Sequence, residues 1–239
     1  VELRVSQPMF ELSLLRTPTF TGGLISAFSM NGSLFAMLLY IVLYLQNSLG
    51  YSALQTGVRL LVMFACSMVV ATIAGRLSSH VPVRWLIGPG LFLVGIALML
   101  MSGLDASSSW THLIPGLIIS GIGSGLVNPP LAATAVGVVP LHQSGMASGM
   151  NNTFRQIGIA VGIAVYGTLF SSRLSSSMRD NPAGGKHAAY ADALNLLFVV
   201  SGSVAVIGAL CAVLMIRNKD FVSHAPPTPE PASTVPAAS

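Results

Sequence analysis

The chain has 239 residues, 53% hydrophobic and only 8% charged, with a mean hydropathy of +0.76. A soluble domain carries about 25% charged residues, so this composition excludes a water-covered surface of the usual kind. The apolar runs are long and continuous, which selects an all-α membrane protein over a barrel. The formal charge of +4 does not point to nucleic acid, because the basic residues form no block and sit at the ends of apolar runs.

Residues 1–17 are mixed and read as an interfacial, cytoplasmic lead-in, with Glu2, Arg4, Glu11 and Arg16. The first residue is Val1, no cleavable leader pattern follows, and the chain reads as a fragment of a longer protein. A first span is expected over about 18–46, with Gly22, Gly23, Asn31 and Gly32 in its first half. Asn31 suits either an interhelical hydrogen bond, worth about 0.6 kcal/mol, or an amide lining a cavity. The second span is expected over about 53–77. Arg59 lies near its start, where a long side chain can reach the interface. A short basic connection leads to a third span over about 85–102, opened by the interfacial Trp85. An acidic, serine-rich loop follows at 103–110.

The fourth span, about 111–139, holds Gly121, Gly123 and Gly125, then Asn128, Pro129 and Pro130. Prolines remove backbone donors and are expected to kink or break this helix near its middle. The freed carbonyls are candidate ligand contacts, or the kink is static. The fifth span, about 144–171, is the most informative. Its sequence GMASGMNNTFRQIGIAVGIAVYG (145–167) is apolar enough for a membrane, yet contains Asn151, Asn152, Arg155 and Gln156. A charge at the centre of a spanning helix costs about 2.5–3.5 kcal/mol, so Arg155 needs a polar cavity, a partner or a route to the headgroups. Gly145 with Gly149, and Gly158 with Gly162, recur at four-residue spacing and make flat stripes for helix packing. Asn151, Arg155, Gly158 and Gly162 share one helical face.

A polar loop is expected over 172–190, a sixth span over about 191–216, and a disordered cytoplasmic tail over 218–239, rich in Pro, Ala, Ser and Thr. Cys66 and Cys211 lie inside apolar runs and read as packing residues, with no metal spacing and no disulfide framework. No catalytic constellation appears, so the reading is not an enzyme and calls for no cofactor. Gly121-Ile122-Gly123-Ser124-Gly125 lies within an apolar span and reads as helix packing, not a phosphate loop. With both ends on one side, basic residues favour that side: Arg4, Arg16, Arg76, Arg84, Arg217 and Lys219 against Arg173, Arg179 and Lys186. The bias favours cytoplasmic termini.

Three stretches together resemble one family. The segment ending YLQNSLGY (44–51), the segment GIGSGLVNPPLAATAVGVVP (121–140) and the Arg155 segment resemble the C-terminal half of fourteen-helix drug:proton antiporters. These form the EmrB/QacA branch of the major facilitator superfamily, and the resemblance covers about 18–217. Gly75, Leu77 and Arg84 match that superfamily's cytoplasmic loop motif. Ser79, His80 and Pro82 depart from it, so the loop lacks the carboxylate of its charge relay.

The resemblance implies a six-helix bundle facing a second, missing N-terminal bundle, with a substrate cavity between them and alternating access by rocking. The first, second, fourth and fifth spans would line the cavity, and the third and sixth would be scaffold. The implied setting is the bacterial inner (plasma) membrane. The implied cargo is a small lipophilic or amphiphilic compound, lipophilic cations included. All seven acids lie at ends or in loops, so protons would be coupled through the missing half. The alternatives are an exporter of a natural product or metabolite, and a non-transporting membrane scaffold.

Overall fold

The structure, a computed structural model, describes residues 12–78, 80–105, 108–180, 185–217 and 220–221. The apolar runs form six helices. They are α1 (Pro18–Ser48), α2 (Ala53–Leu77), α3 (Arg84–Leu100), α4 (Ile114–Gly137), α5 (Ser144–Asp180) and α6 (Gly185–Met215). Five are long and apolar enough to cross a bilayer, α4 together with the Trp110–Leu113 turn before it. The 17 residues of α3 extend about 26 Å, most of a hydrocarbon core about 30 Å thick. The expected tail at 222–239, most of the lead-in at 1–11 and Ser79 of the loop motif lie outside the described residues.

Local chemistry sets the helix starts. Pro18 opens α1, where its missing N–H costs nothing. Ser52 and Gln55 form a capping box at α2: Gln55 N–H donates to Ser52 Oγ (3.3 Å) and Ser52 N–H to Gln55 Oε1 (3.1 Å). At the end where α1 begins, Thr19 Oγ1 accepts from Arg217 N–H (2.8 Å) and donates to Asp220 Oδ2 (2.6 Å). That ties the first helix to the last. At the opposite end Asn195 pairs with the Leu104 backbone through two 2.9 Å bonds, fastening the loop after α3 to α6.

Close glycine contacts assemble the bundle. A Cβ on Gly121 would strike the Met63 carbonyl, and one on Gly125 would lie 2.6 Å from the Ser67 carbonyl, so α4 sits directly on α2. Gly90 of α3 faces the Gly123 carbonyl, and Gly95 faces that of Gly202, which inserts α3 between α4 and α6. On α5, a Cβ at Gly158 would lie 2.5 Å from the Phe28 carbonyl, and at Gly162 2.5 Å from the Gly32 carbonyl. There α1 widens into a π-helical segment, Asn31–Phe35, with Gly32 against Gly158. The buried apolar residues Ala27, Met30, Leu34, Met37 and Ile41 run along α1, which is the central helix. Two thirds of its most apolar 18-residue stretch is buried (67%), against 17% for those of α2 and α5, so these two are the least covered of the five long helices.

Three expectations change. Gly145 and Gly149 pack on nothing in this chain: an added Cβ at either would meet no atom within 4 Å, because the first turns of α5 turn that face outward. Pro129 and Pro130 do not break α4, which continues helically to Gly137. Only the Gly125 and Leu126 carbonyls lose their i+4 donors. Most of the expected loop at 172–190 is helical. Ser172, Ser175 and Ser176 return hydrogen bonds to carbonyls three or four residues back, and α5 runs on to Asp180. Arg173 then pairs with Asp192 of α6 at 3.0 Å.

Candidate functional site

Arg155 on α5 and Asn128 on α4 make a charged-to-amide contact between these two helices inside the spans. Arg155 lies about 16 Å along α5 from Ser144, and Asn128 about 14 Å along α4 from Gly137, at 1.5 Å per residue. The helices are antiparallel, so the two side chains meet at one depth. Arg155 Nη2 donates to Asn128 Oδ1 at 2.7 Å. Asn128 Nδ2 donates to the Ser124 carbonyl at 3.0 Å, and Ser124 Oγ lies 3.0 Å from Ser67 Oγ on α2. A polar ladder therefore crosses α5, α4 and α2.

Arg155 thus has a polar partner on a neighbouring helix, one of the ways to offset the cost of a charge in a spanning helix. A hydrogen bond to a charged group contributes about 1.5–3 kcal/mol, comparable to the insertion cost of about 2.5–3.5 kcal/mol. The guanidinium is half-buried, and its Nε has no protein partner. No carboxylate among the described residues pairs with it; the ion pair there is Arg173–Asp192, on the exposed far end of α5.

The other predicted residues divide into two groups. Asn151, one turn before Arg155, is buried at 7% exposure in a dry cleft with Phe20, Leu24, Leu131 and Thr134, and its Oδ1 has no partner. Asn31 is 6% exposed and its Nδ2 donates to the Ala27 carbonyl at 2.8 Å, so its amide is used within α1. Asn152 and Gln156 are exposed. With Gly145, Ser148, Gly149 and Thr153 they make a small, polar outer face on the first half of α5. The outer face of α2 is the opposite: Leu54, Val58, Leu61, Met68 and Ile73 are all more than half exposed. In the loop motif, Gly75 and Leu77 are exposed, and the Arg84 guanidinium lies 5.4 Å from the Trp85 ring.

The sequence reading missed three features. An aromatic cluster of Tyr40, Tyr44, Tyr166, Phe170 and Tyr190 closes the bundle toward the far end, with ring centroids 4.8–6.2 Å apart. Tyr40 and Tyr44, four apart on one helix, were the available signal. Arg59 reaches the end of the bundle where α2 starts, as expected, but its partners there, Tyr51 (3.7 Å) and Trp110 (5.1 Å), were not foreseen. The π segment at Asn31 had no sequence signal beyond Gly32.

The profile described as Major Facilitator Superfamily matches residues 24–238, most of the chain. The chain belongs to the Major Facilitator Superfamily. Among its relatives, the multidrug resistance protein Stp of Mycobacterium tuberculosis is 30% identical over 178 residues, 74% of this chain and 33% of that protein. The tetracenomycin C resistance and export protein of Streptomyces glaucescens is 27% identical, over 98% of this chain and 51% of its own. The chain thus spans about a third to a half of the length of these relatives. The crystal structure of a bacterial homologue of the human lysosomal transporter Spinster, inward-facing and unoccupied, matches with a TM-score of 0.71 at 18% identity. That match covers 91% of this chain and 52% of the other, and it shows the fold. The family and these relatives are transporters, and six apolar helices make this chain a multi-pass membrane protein of that superfamily.

Proposed function

We propose that this chain is the C-terminal bundle of an alternating-access exporter of small amphiphilic compounds in the bacterial plasma membrane, with cytoplasmic termini. It acts by binding and rocking, without enzymatic chemistry. The observation that carries this reading is the Arg155–Asn128 pair, about 16 Å along α5 from Ser144 and beside the exposed polar face of that helix. A lipid-facing surface would not be polar at that depth, because unmet polar groups in hydrocarbon are costly. The groove between α4 and α5 therefore faces a wet cavity shared with a second bundle. Export by relatives named for drug and antibiotic resistance supports the same reading. A natural-product cargo is the second reading, favoured by the relative named for export of tetracenomycin C.

Proton coupling would belong to the other bundle, since Asp105, Asp180 and Asp220 lie at helix ends or in loops and Asp192, two turns into α6, is paired with Arg173. The test is Arg155→Ala in the full-length protein. Efflux of a fluorescent substrate from cells should fall at least about tenfold, the scale of one lost 1.4 kcal/mol interaction, while membrane insertion is unchanged. Export at the wild-type rate would make Arg155 a structural residue and remove the support for this reading.

A further inference from the structure

At the end of the bundle opposite Thr19, α5, α6 and the loop after α3 border an open crevice of about 450 Å³. Its rim holds an ion pair. Arg173 Nε lies 3.0 Å from Asp192 Oδ2, and Arg173 Nη2 donates to Asp192 Oδ1 at 3.2 Å. Both side chains stay partly exposed, so each keeps bonding capacity in hand. A guanidinium has five donor hydrogens and gives two here; a carboxylate has about four acceptor sites and fills two. Spare donors and spare acceptors therefore lie side by side, and the pair is neutral overall. The floor is fixed independently of it. Asn195 uses its amide on the Leu104 backbone, and His112 Nε2 lies 3.2 Å from the Ser102 carbonyl.

One wall of the crevice is apolar, made by Leu196 and Val199 of α6. Ile207, Leu210 and Leu214 continue the same outer face of that helix and are exposed. From Val199 to Leu214 this stripe runs about 22 Å at 1.5 Å per residue. The 31 residues of α6 extend about 46 Å, against about 30 Å of hydrocarbon. Centred in a bilayer, α6 would pass the hydrocarbon by about 8 Å at each end, and Asp192 lies about 10 Å from its start. The ion pair thus sits at the boundary of headgroups and acyl chains, with apolar surface leading away below it.

We infer that this crevice holds the headgroup of a zwitterionic phospholipid with a primary ammonium, of the phosphatidylethanolamine kind, whose acyl chains lie along the α6 stripe. The phosphate oxygens meet the spare N–H groups of Arg173, and the ammonium donates to the spare oxygen sites of Asp192. A phosphatidylcholine headgroup has no N–H to give Asp192. An anionic phosphatidylglycerol headgroup sets its phosphate beside that carboxylate with no ammonium to offset it. The inference concerns the fit of the bundle to its bilayer and is independent of what the protein carries.

Native mass spectrometry of the full-length protein, delipidated in detergent, reads the binding of these three lipids with identical dioleoyl chains. Phosphatidylethanolamine should bind at least about tenfold more tightly than phosphatidylglycerol, with phosphatidylcholine between them. Asp192→Asn should remove the preference for ethanolamine over choline and bring phosphatidylglycerol level with both or above them. Arg173→Gln should weaken the ethanolamine and choline lipids alike. Both variants should fold, because an exposed pair contributes little to stability. Glycerophosphoethanolamine, the same headgroup without chains, should not displace the lipid at equal concentration. Wild-type protein that binds phosphatidylglycerol as tightly as phosphatidylethanolamine overturns the inference, and so does an Asp192→Asn protein that keeps the wild-type order. Displacement by glycerophosphoethanolamine at equal concentration overturns the assignment to a lipid.

Discussion

Replacing Gly158 by alanine tests the way α1 and α5 are held together. The new Cβ would lie 2.5 Å from the Phe28 carbonyl oxygen, 3.1 Å from Phe28 Cα and 3.2 Å from the Gly32 nitrogen. All three are backbone atoms, so no side chain can swing away. An ordinary C···O contact is about 3.3–3.6 Å, so the helices must separate by roughly 1 Å there. A gap of that size forfeits about a quarter to a half of each dispersion contact along the seam, and overpacking typically costs about 1–3 kcal/mol. For a domain of this size that corresponds to roughly 2–10 °C in melting temperature. The assay is thermal unfolding of the purified full-length protein in detergent, followed by loss of the monodisperse peak on gel filtration. Gly149→Ala is the control on the same helix, because its Cβ would meet nothing within 4 Å. It should leave the melting temperature unchanged or raise it slightly, since alanine is the better helix former by about 1 kcal/mol. An unshifted Gly158→Ala protein would refute the close-contact reasoning. A fall at Gly149 as large as that at Gly158 would show that the open face of α5 is itself packed in the full-length protein.

Two further substitutions follow from single contacts. Asn195→Ala removes both bonds to the Leu104 backbone and should cost about 1–3 kcal/mol in the same melt, through the peptide groups left unpaired. Asp192→Asn removes the partner of Arg173, but the two side chains are 39% and 48% exposed. Its effect should stay within about 1 kcal/mol and shrink in high salt, whereas Asn195→Ala should be insensitive to salt.

The fold class was legible because bilayer chemistry leaves few options: apolar runs of this length must be helices, and six of them are present. The glycine stripes were half legible. Four-residue spacing identified Gly158 and Gly162 as close-packing positions, yet the same spacing at Gly145 and Gly149 marks an open face. Spacing fixes which residues share a face, but not what lies opposite it. The prolines were half legible for a related reason. Each removes one hydrogen bond, yet α4 stays helical through Pro130 to Gly137, with Gly121 and Gly125 packed on α2 and Gly123 on α3. The run of serines after Ser171 looked like a loop by composition, but serine hydroxyls bonded back to their own helix carry α5 onward. Arg155 was conspicuous because its residue type does not belong in hydrocarbon, whereas its partner, 27 positions away on another helix, could only be seen in space.

The contrast between the two open helices carries the final step. Both α2 and α5 are mostly uncovered, so burial alone does not tell lipid from water. Their chemistry does. The outer face of α2 bears Leu54, Leu61, Met68 and Ile73, which hydrocarbon or an apolar helix would accept without cost. The first half of α5 bears Ser148, Asn152, Thr153 and Gln156 outward and Arg155 at its edge; Thr153 bonds back to the Gly149 carbonyl, whereas the amides of Asn152 and Gln156 would lose hydrogen-bonding partners against lipid tails. The bundle therefore has an apolar rim and a polar rim, with the Ser67–Ser124–Asn128–Arg155 ladder between them.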